Sequence, residues 1–188
     1  MTDPKWKQLT DFLVNLGIET VPHTEKTYLA HLIAVYRIME THGCTQELRR
    51  AGMFHSIYGT QQFQGFKLPL EKRDDVQALI GERAERLGYI NCAMYRLSFD
   101  AALDQAEGPY RFTDRITGAE VVLDRADFDD LCRVHLFDWV EQVPRSRCGW
   151  GHRRAAYRRM AERLGGEALA TYDAVFANEP AGAAAEKG

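Results

Sequence analysis

The chain has 188 residues, 45% of them hydrophobic and 27% charged, with a formal net charge of −3. That length fits one domain with apolar mass enough for a core, and the charge balance carries no bulk bias toward nucleic acid or membrane. No apolar run approaches the ~18 residues that a membrane-spanning helix needs. The opening MTDPKWKQ lacks the charged-then-apolar layout of a secretory signal, so a cytoplasmic location is expected. Cys44, Cys92, Cys132 and Cys148 are scattered with no CxxC pair. They read as reduced and mostly buried, not as a zinc site.

In chain order, Asp3-Pro4 opens a first helix in which Trp6, Leu9, Leu13 and Leu16 recur at helical spacing, and Gly17 ends it. After the loop IETVPH, a second helix is expected from Thr24, as N-cap, to about Thr41. Tyr28, Leu32, Val35 and Met39 are its apolar stripe, and His42-Gly43 stops it. Thr45 caps a third helix through TQELRRAGMFHSIY, which puts Leu48, Ala51 and His55 on one face. Residues 59–70 read as irregular, punctuated by Gly59, Gly65 and Pro69. Helical patterning resumes from Leu70 to about Ile80, then over GERAERLGYINCAMYRLSFDAALDQA. The segment YRFTDRITGAEVVL has two β-prone arms around Thr117-Gly118 and predicts a β-hairpin. Asp124 caps the next helix, DRADFDDLCRVHLFDWVEQV, which Pro144 terminates. Two shorter helices follow, roughly 150–164 and 166–177. The tail, 178–188, has no hydrophobic pattern and reads as disordered. The whole predicts an all-α bundle, a single domain over 1–177, with one inserted β-hairpin.

The chemistry centres on histidine. His31 lies among apolar residues of the second helix, and His55 falls on the buried face of the third. Such inward imidazoles are either hydrogen-bonded core residues or ligands converging on one cation, since neutral imidazole binds zinc, iron or manganese. His135 and Asp138, three apart, share a helix face with Leu131. An aspartate in so apolar a turn is costly unless paired with a charge or a metal. His31, His55 and Asp138 are therefore candidate ligands, with His135 or His23 available to complete the set. His42 and His152 read as surface residues.

Other groups offer two readings each. Tyr58 and Thr60 flank Gly59, which either stops a helix or lets the backbone approach a ligand. Glu82, Arg83, Glu85 and Arg86 make a solvated ion-paired face, or supply a general base (Glu82 or Glu85) and an anion clamp (Arg83). Arg111 and Arg115 of the hairpin are ordinary exposed arginines, or a lid that binds phosphate or carboxylate. The arginine-rich stretch from Arg145 to Arg163 reads as a solvated helix face in preference to a nucleic-acid surface, because no recognition or stacking motif accompanies it.

The segments YLAHLIAVYRIM, LRRAGMFHSIYGT and LFDWVEQ resemble the HD-domain superfamily of metal-dependent helical enzymes. There, one helix gives a histidine, a later one a His-Asp pair and a distant one a final aspartate. The resemblance covers roughly residues 23–60 and 128–142. It implies an HD-like helical fold in which His31, His55 and Asp138 hold metal. Ser56 departs from it, standing where the superfamily has aspartate. Without that carboxylate a two-metal site is disfavoured. One divalent ion (Fe, Mn or Zn) on two histidines and a carboxylate stays chemically sensible.

The first expectation is an HD-type hydrolase of a small anionic or phosphorylated molecule, with Glu82, Glu85 or Tyr58 in catalysis and Thr60, Arg83, Arg111 and Arg115 on the substrate. The second is a non-haem iron oxygenase of a small metabolite on the same ligands. The third is a non-catalytic HD-like binding domain that has lost the centre. The partner expected is a small-molecule substrate, not a membrane or nucleic acid, and a homodimer stays open.

Overall fold

The structure, a computed structural model, describes residues 3–181. The chain is mainly α-helical with a β-hairpin inserted, as patterned. It forms two compact units, Met1–Met94 and Tyr95–Gly188.

In the first unit, α1 (Trp6–Asn15) buries Leu9 and Leu13. A small antiparallel ladder, β1 (Pro22–His23) with β2 (Lys26–Thr27), follows. Its turn takes Thr24 (φ 38) and Glu25 (φ 63) through the left-handed region. Turns of this kind favour Asn-Gly, so Thr-Glu gives no sign of one in the sequence. The N-cap of α2 (Tyr28–Thr41) is consequently Thr27 and not Thr24: the Thr27 hydroxyl accepts from the Ala30 N–H at 3.2 Å. Thr45 caps α3 (Gln46–Met53) as expected. This helix ends before His55. The Phe54 N–H reaches both the Arg50 and Ala51 carbonyls, and the His55 N–H reaches Gly52 O, so the last turn tightens.

Two glycines set the packing around that turn. A Cβ on Gly52 would run into Met39 Sδ, so the missing side chain lets α3 close on α2. A Cβ on Gly88 would lie 3.2 Å from the Phe54 carbonyl. Gly88 belongs to α5 (Glu82–Ala93), which Gly81 (φ 99) separates from α4 (Arg73–Ile80).

In the second unit, α6 (Arg96–Ala102) begins where the expected long helix breaks. Met94 and Tyr95 are extended (ψ 134 and 114), and the Tyr95 N–H bonds to the Thr113 carbonyl. The hairpin pairs β3 (Tyr110–Thr113) with β4 (Glu120–Leu123) in the register Tyr110↔Leu123 and Thr113↔Glu120. Asp124 caps α7 (Arg125–Gln142), accepting from the Asp127 N–H at 2.9 Å. The helix buries Phe128, whose ring stacks on Tyr110 with centroids 4.1 Å apart. Then come α8 (Arg154–Leu164), which starts four residues later than its pattern indicated, and α9 (Gly166–Phe176). Of the tail read as disordered, Glu179 pairs with Arg154 at 2.7 Å, and residues 182–188 lie outside the described residues.

Candidate metal centre

α2 carries His31 inward, and the tight turn after α3 carries His55; both are buried. Their Nε2 atoms are 3.4 Å apart, with the rings edge-on. The Nδ1 of His55 is 2.7 Å from the Gly52 carbonyl. A carbonyl only accepts, so Nδ1 carries the proton and Nε2 the lone pair. That is the orienting contact which metal-bound histidines usually have. The His55 carbonyl in turn accepts from Asn91 Nδ2 at 2.8 Å and Cys92 Sγ at 3.2 Å, which ties the turn to α5.

Two nitrogens each about 2.05 Å from one ion, at the tetrahedral angle, are about 3.3 Å apart, so the 3.4 Å spacing is compatible with shared coordination as well as with a long hydrogen bond.

Asp138 of α7 is buried, and its Oδ1 accepts from Gln142 Nε2 at 2.8 Å, one turn on. His31, His55 and Asp138 each offer one ligand atom, and these atoms all lie within 4.8 Å of one another. These buried side chains could hold a metal ion. Two imidazoles and a carboxylate suit zinc or iron, with coordination positions remaining for water or substrate. Ser56 is buried with its Oγ 3.0 Å from the Tyr28 hydroxyl. A neutral hydroxyl, paired with that of Tyr28, and not a carboxylate thus follows His55 in the chain, which fits one ion better than two.

The other expected site residues fall elsewhere. His23 stacks on His31, centroids 4.2 Å apart, with Nδ1 2.9 Å from Thr24 Oγ1; it is a neighbour of the group and not one of the three. Tyr58 and Glu85 meet each other instead of the group. The Tyr58 hydroxyl donates to Glu85 Oε1 at 2.9 Å, Arg73 grips both carboxylate oxygens at 2.7 and 2.9 Å, and Gln77 adds 3.0 Å. Burial pulls the Glu85 pKa upward, but the hydrogen bonds from Arg73, Gln77 and Tyr58 outweigh it and hold the carboxyl below its usual range. Burial, with Glu85 beside it, pushes the Tyr58 hydroxyl up. A carboxylate so engaged is a poor general base, and this cluster stabilises the fold. Glu82 is exposed at the start of α5. Arg83 pairs with Glu47 at 3.0 Å, and Arg111 pairs with Glu120 across the hairpin. Arg115 sits half-buried in the hairpin turn. Thr60 is buried, its hydroxyl accepting from the Phe63 N–H at 2.9 Å, a turn role.

His135 is buried on α7 and lies against arginine. Arg153 Nη1 is 2.8 Å from its Nε2, and Arg96 Nη1 is 3.3 Å from its Nδ1. A nitrogen facing a guanidinium at 2.8 Å is not poised to bind a cation, and His135 is outside the three-residue group. Arg153 precedes α8 with a left-handed backbone (φ 46). A non-glycine residue pays about 1–3 kcal/mol for such a conformation. Here it aims the side chain at Asp100, whose carboxylate takes Nε at 3.0 Å and also Nη2. Arg96 and Asp100 did not stand out in the sequence, and Arg153, which read as part of a solvated arginine-rich face, is instead largely buried against Asp100. The one local signal was Arg96 and Asp100 at i, i+4, both facing into an apolar helix.

Residues 12–96 match a protein family described as a domain of unknown function (DUF6817). The matched stretch contains His31 and His55 and stops short of Asp138. No curated protein and no solved structure matches the chain.

Proposed function

We propose that the protein is a metal-dependent hydrolase on an HD-type helical frame, acting on a small anionic or phosphorylated molecule. The observation that carries this reading is the meeting of His31, His55 and Asp138, buried and with ligand atoms within 4.8 Å. A divalent ion bound there would acidify a water molecule and polarise the scissile bond. The residues do the rest. Gly52 O fixes the His55 tautomer, Gln142 orients the Asp138 carboxylate, and the buried setting strengthens every charge interaction in the site. The Ser56–Tyr28 hydroxyl pair keeps the arrangement mononuclear.

The same two-histidine, one-carboxylate set is that of many mononuclear iron oxygenases, which gives the second reading its specific support. One experiment separates the two. Protein reconstituted with Mn, Zn or Fe(II) is offered a panel of small phosphate esters under air and under nitrogen, with released phosphate and consumed O₂ both recorded. Hydrolysis is expected with Mn or Zn, without O₂, and lost in Asp138→Asn. Turnover that needs Fe(II) and O₂ would transfer the case to the oxygenase. Phosphate release at an undiminished rate in Asp138→Asn would contradict both.

A further inference from the structure

The two candidate ligand histidines are sealed: His31 is 0% exposed and His55 1%. An ion and a substrate reach such imidazoles only when some side chain moves aside. Within the first unit, ring contacts mark one way out from His31. The His23 ring lies flat on it, with centroids 4.2 Å apart and planes at 16°. Phe63 closes edge-on over His23, centroids 4.8 Å apart, and its ring centroid is 4.7 Å from that of Tyr28. Exposure rises along this series, from buried His31 to half-buried His23 and Phe63.

The backbones that carry the two outer rings are held. His23 pairs with Lys26 in the β1–β2 ladder. The Phe63 N–H donates to Thr60 Oγ1 at 2.9 Å, and its carbonyl accepts from the Thr60 N–H at 2.9 Å. The Phe63 ring is less restrained than its backbone. It is flanked in sequence by exposed Gln61, Gln62, Gln64 and Gly65, so rotation about its own Cα–Cβ bond carries it off His23 toward water. The two ring contacts oppose that rotation, which leaves the closed form favoured and the open one accessible. Tyr28 stays behind: it is buried, and its hydroxyl is 3.0 Å from Ser56 Oγ.

We propose that Phe63 and His23 form a side-chain gate over His31: the stacked rings shut the candidate metal centre from water, and rotation of Phe63 frees His23 to swing aside and admit an ion and a small substrate. This rests on the metal-centre reading above for its purpose and deepens it, since it says how ligands sealed at 0% and 1% exposure are reached. Phe63 is the latch, because it holds His23 from the solvent side. A closed gate also excludes water around the ion, which strengthens the charge interactions there.

The test is modification of the full chain by diethyl pyrocarbonate, which acylates accessible imidazole, with the rate at His31 read by peptide mass mapping. Wild type, Phe63→Ala, Phe63→Leu and Phe66→Ala are compared, each without metal and with added zinc. Without metal, His31 reacts slowly in wild type and about 10-fold faster in Phe63→Ala, the weight of the two lost ring contacts. Phe63→Leu keeps apolar bulk without the ring and gives about 3-fold. Phe66→Ala loosens the same loop on its Tyr28 side and stays near the wild-type rate. A His31 rate unchanged in Phe63→Ala, or raised as much by Phe66→Ala, overturns the gate. If circular dichroism shows Phe63→Ala unfolded, Phe63→Leu decides alone. Zinc should protect His31 in every variant. Zinc that protects it in none would refute the metal reading instead, and acceleration in Phe63→Ala would still uphold the gate.

Discussion

The Tyr58–Glu85–Arg73 cluster and the His31–His55 pair are both buried polar features of residues 1–94, and they balance their protons in opposite ways. Around Glu85, one carboxylate receives hydrogen bonds from Arg73, Gln77 and Tyr58. At the histidine pair, Gly52 O accepts a hydrogen bond from the His55 Nδ1–H, and two ring nitrogens converge at 3.4 Å. The first arrangement is complete in itself. The second brings together ligand atoms that could hold a cation. Both contain titratable groups in a core, so burial alone does not tell a structural cluster from a ligand site; the balance of donors and acceptors does.

The comparison can be broken by mutation. Glu85→Ala leaves the Arg73 guanidinium in its half-buried place without its bidentate partner and should cost about 3 kcal/mol of unfolding free energy, near the figure for breaking a buried pair. Denaturant unfolding checks this. Bound metal per chain should not change, since Glu85 is outside the ligand group.

Metal removal acts on the other cluster. If free ion is held at 100 times the dissociation constant, stripping it should lower stability by about 2.7 kcal/mol. Melting with and without chelator reads this, and the same shift should appear in Glu85→Ala. Acid separates the two further. Protons compete with the ion for its ligands, so the chelator-sensitive increment should shrink as pH falls. The Glu85 contribution behaves otherwise. Its folded pKa is depressed, so its stabilisation is present above the unfolded value of about 4.5 and is lost as pH falls through the lower folded value. The chelator-sensitive loss is expected in wild type and in Glu85→Ala, and not in His55→Ala.

The smallest effect concerns the approach to the site. Thr27→Ala removes the cap of α2, the helix that bears His31, and should cost about 1 kcal/mol in a thermal melt. Thr24→Ala should cost less, because that residue lies in the turn and caps nothing.

The sequence carries part of this account and hides the rest, for physical reasons. His31 was legible as inward because helical periodicity surrounds it with apolar residues. Asp138 was legible because a carboxylate in an apolar turn needs a partner. The β3–β4 hairpin and the Asp124 cap follow from local turn and cap chemistry. The 22–27 hairpin was hidden because Thr24 and Glu25 adopt left-handed backbones that their types disfavour. Glu85 read as a solvated helix charge because its partner Arg73 lies 12 residues away, on another helix. The Asp100–Arg153 and Arg153–His135 contacts join residues 53 and 18 apart in the chain, and no period or motif encodes them.

The central claim is that two imidazoles and one carboxylate share a cation, and elemental analysis tests it most directly. Wild type loaded with Zn, Mn or Fe(II) and desalted should retain about one ion per chain, the number one closed ligand set holds. His55→Ala should retain almost none while its circular dichroism stays helical. Wild type that keeps no ion under any of the three loadings, or a His55→Ala protein that keeps as much as wild type, would contradict the account.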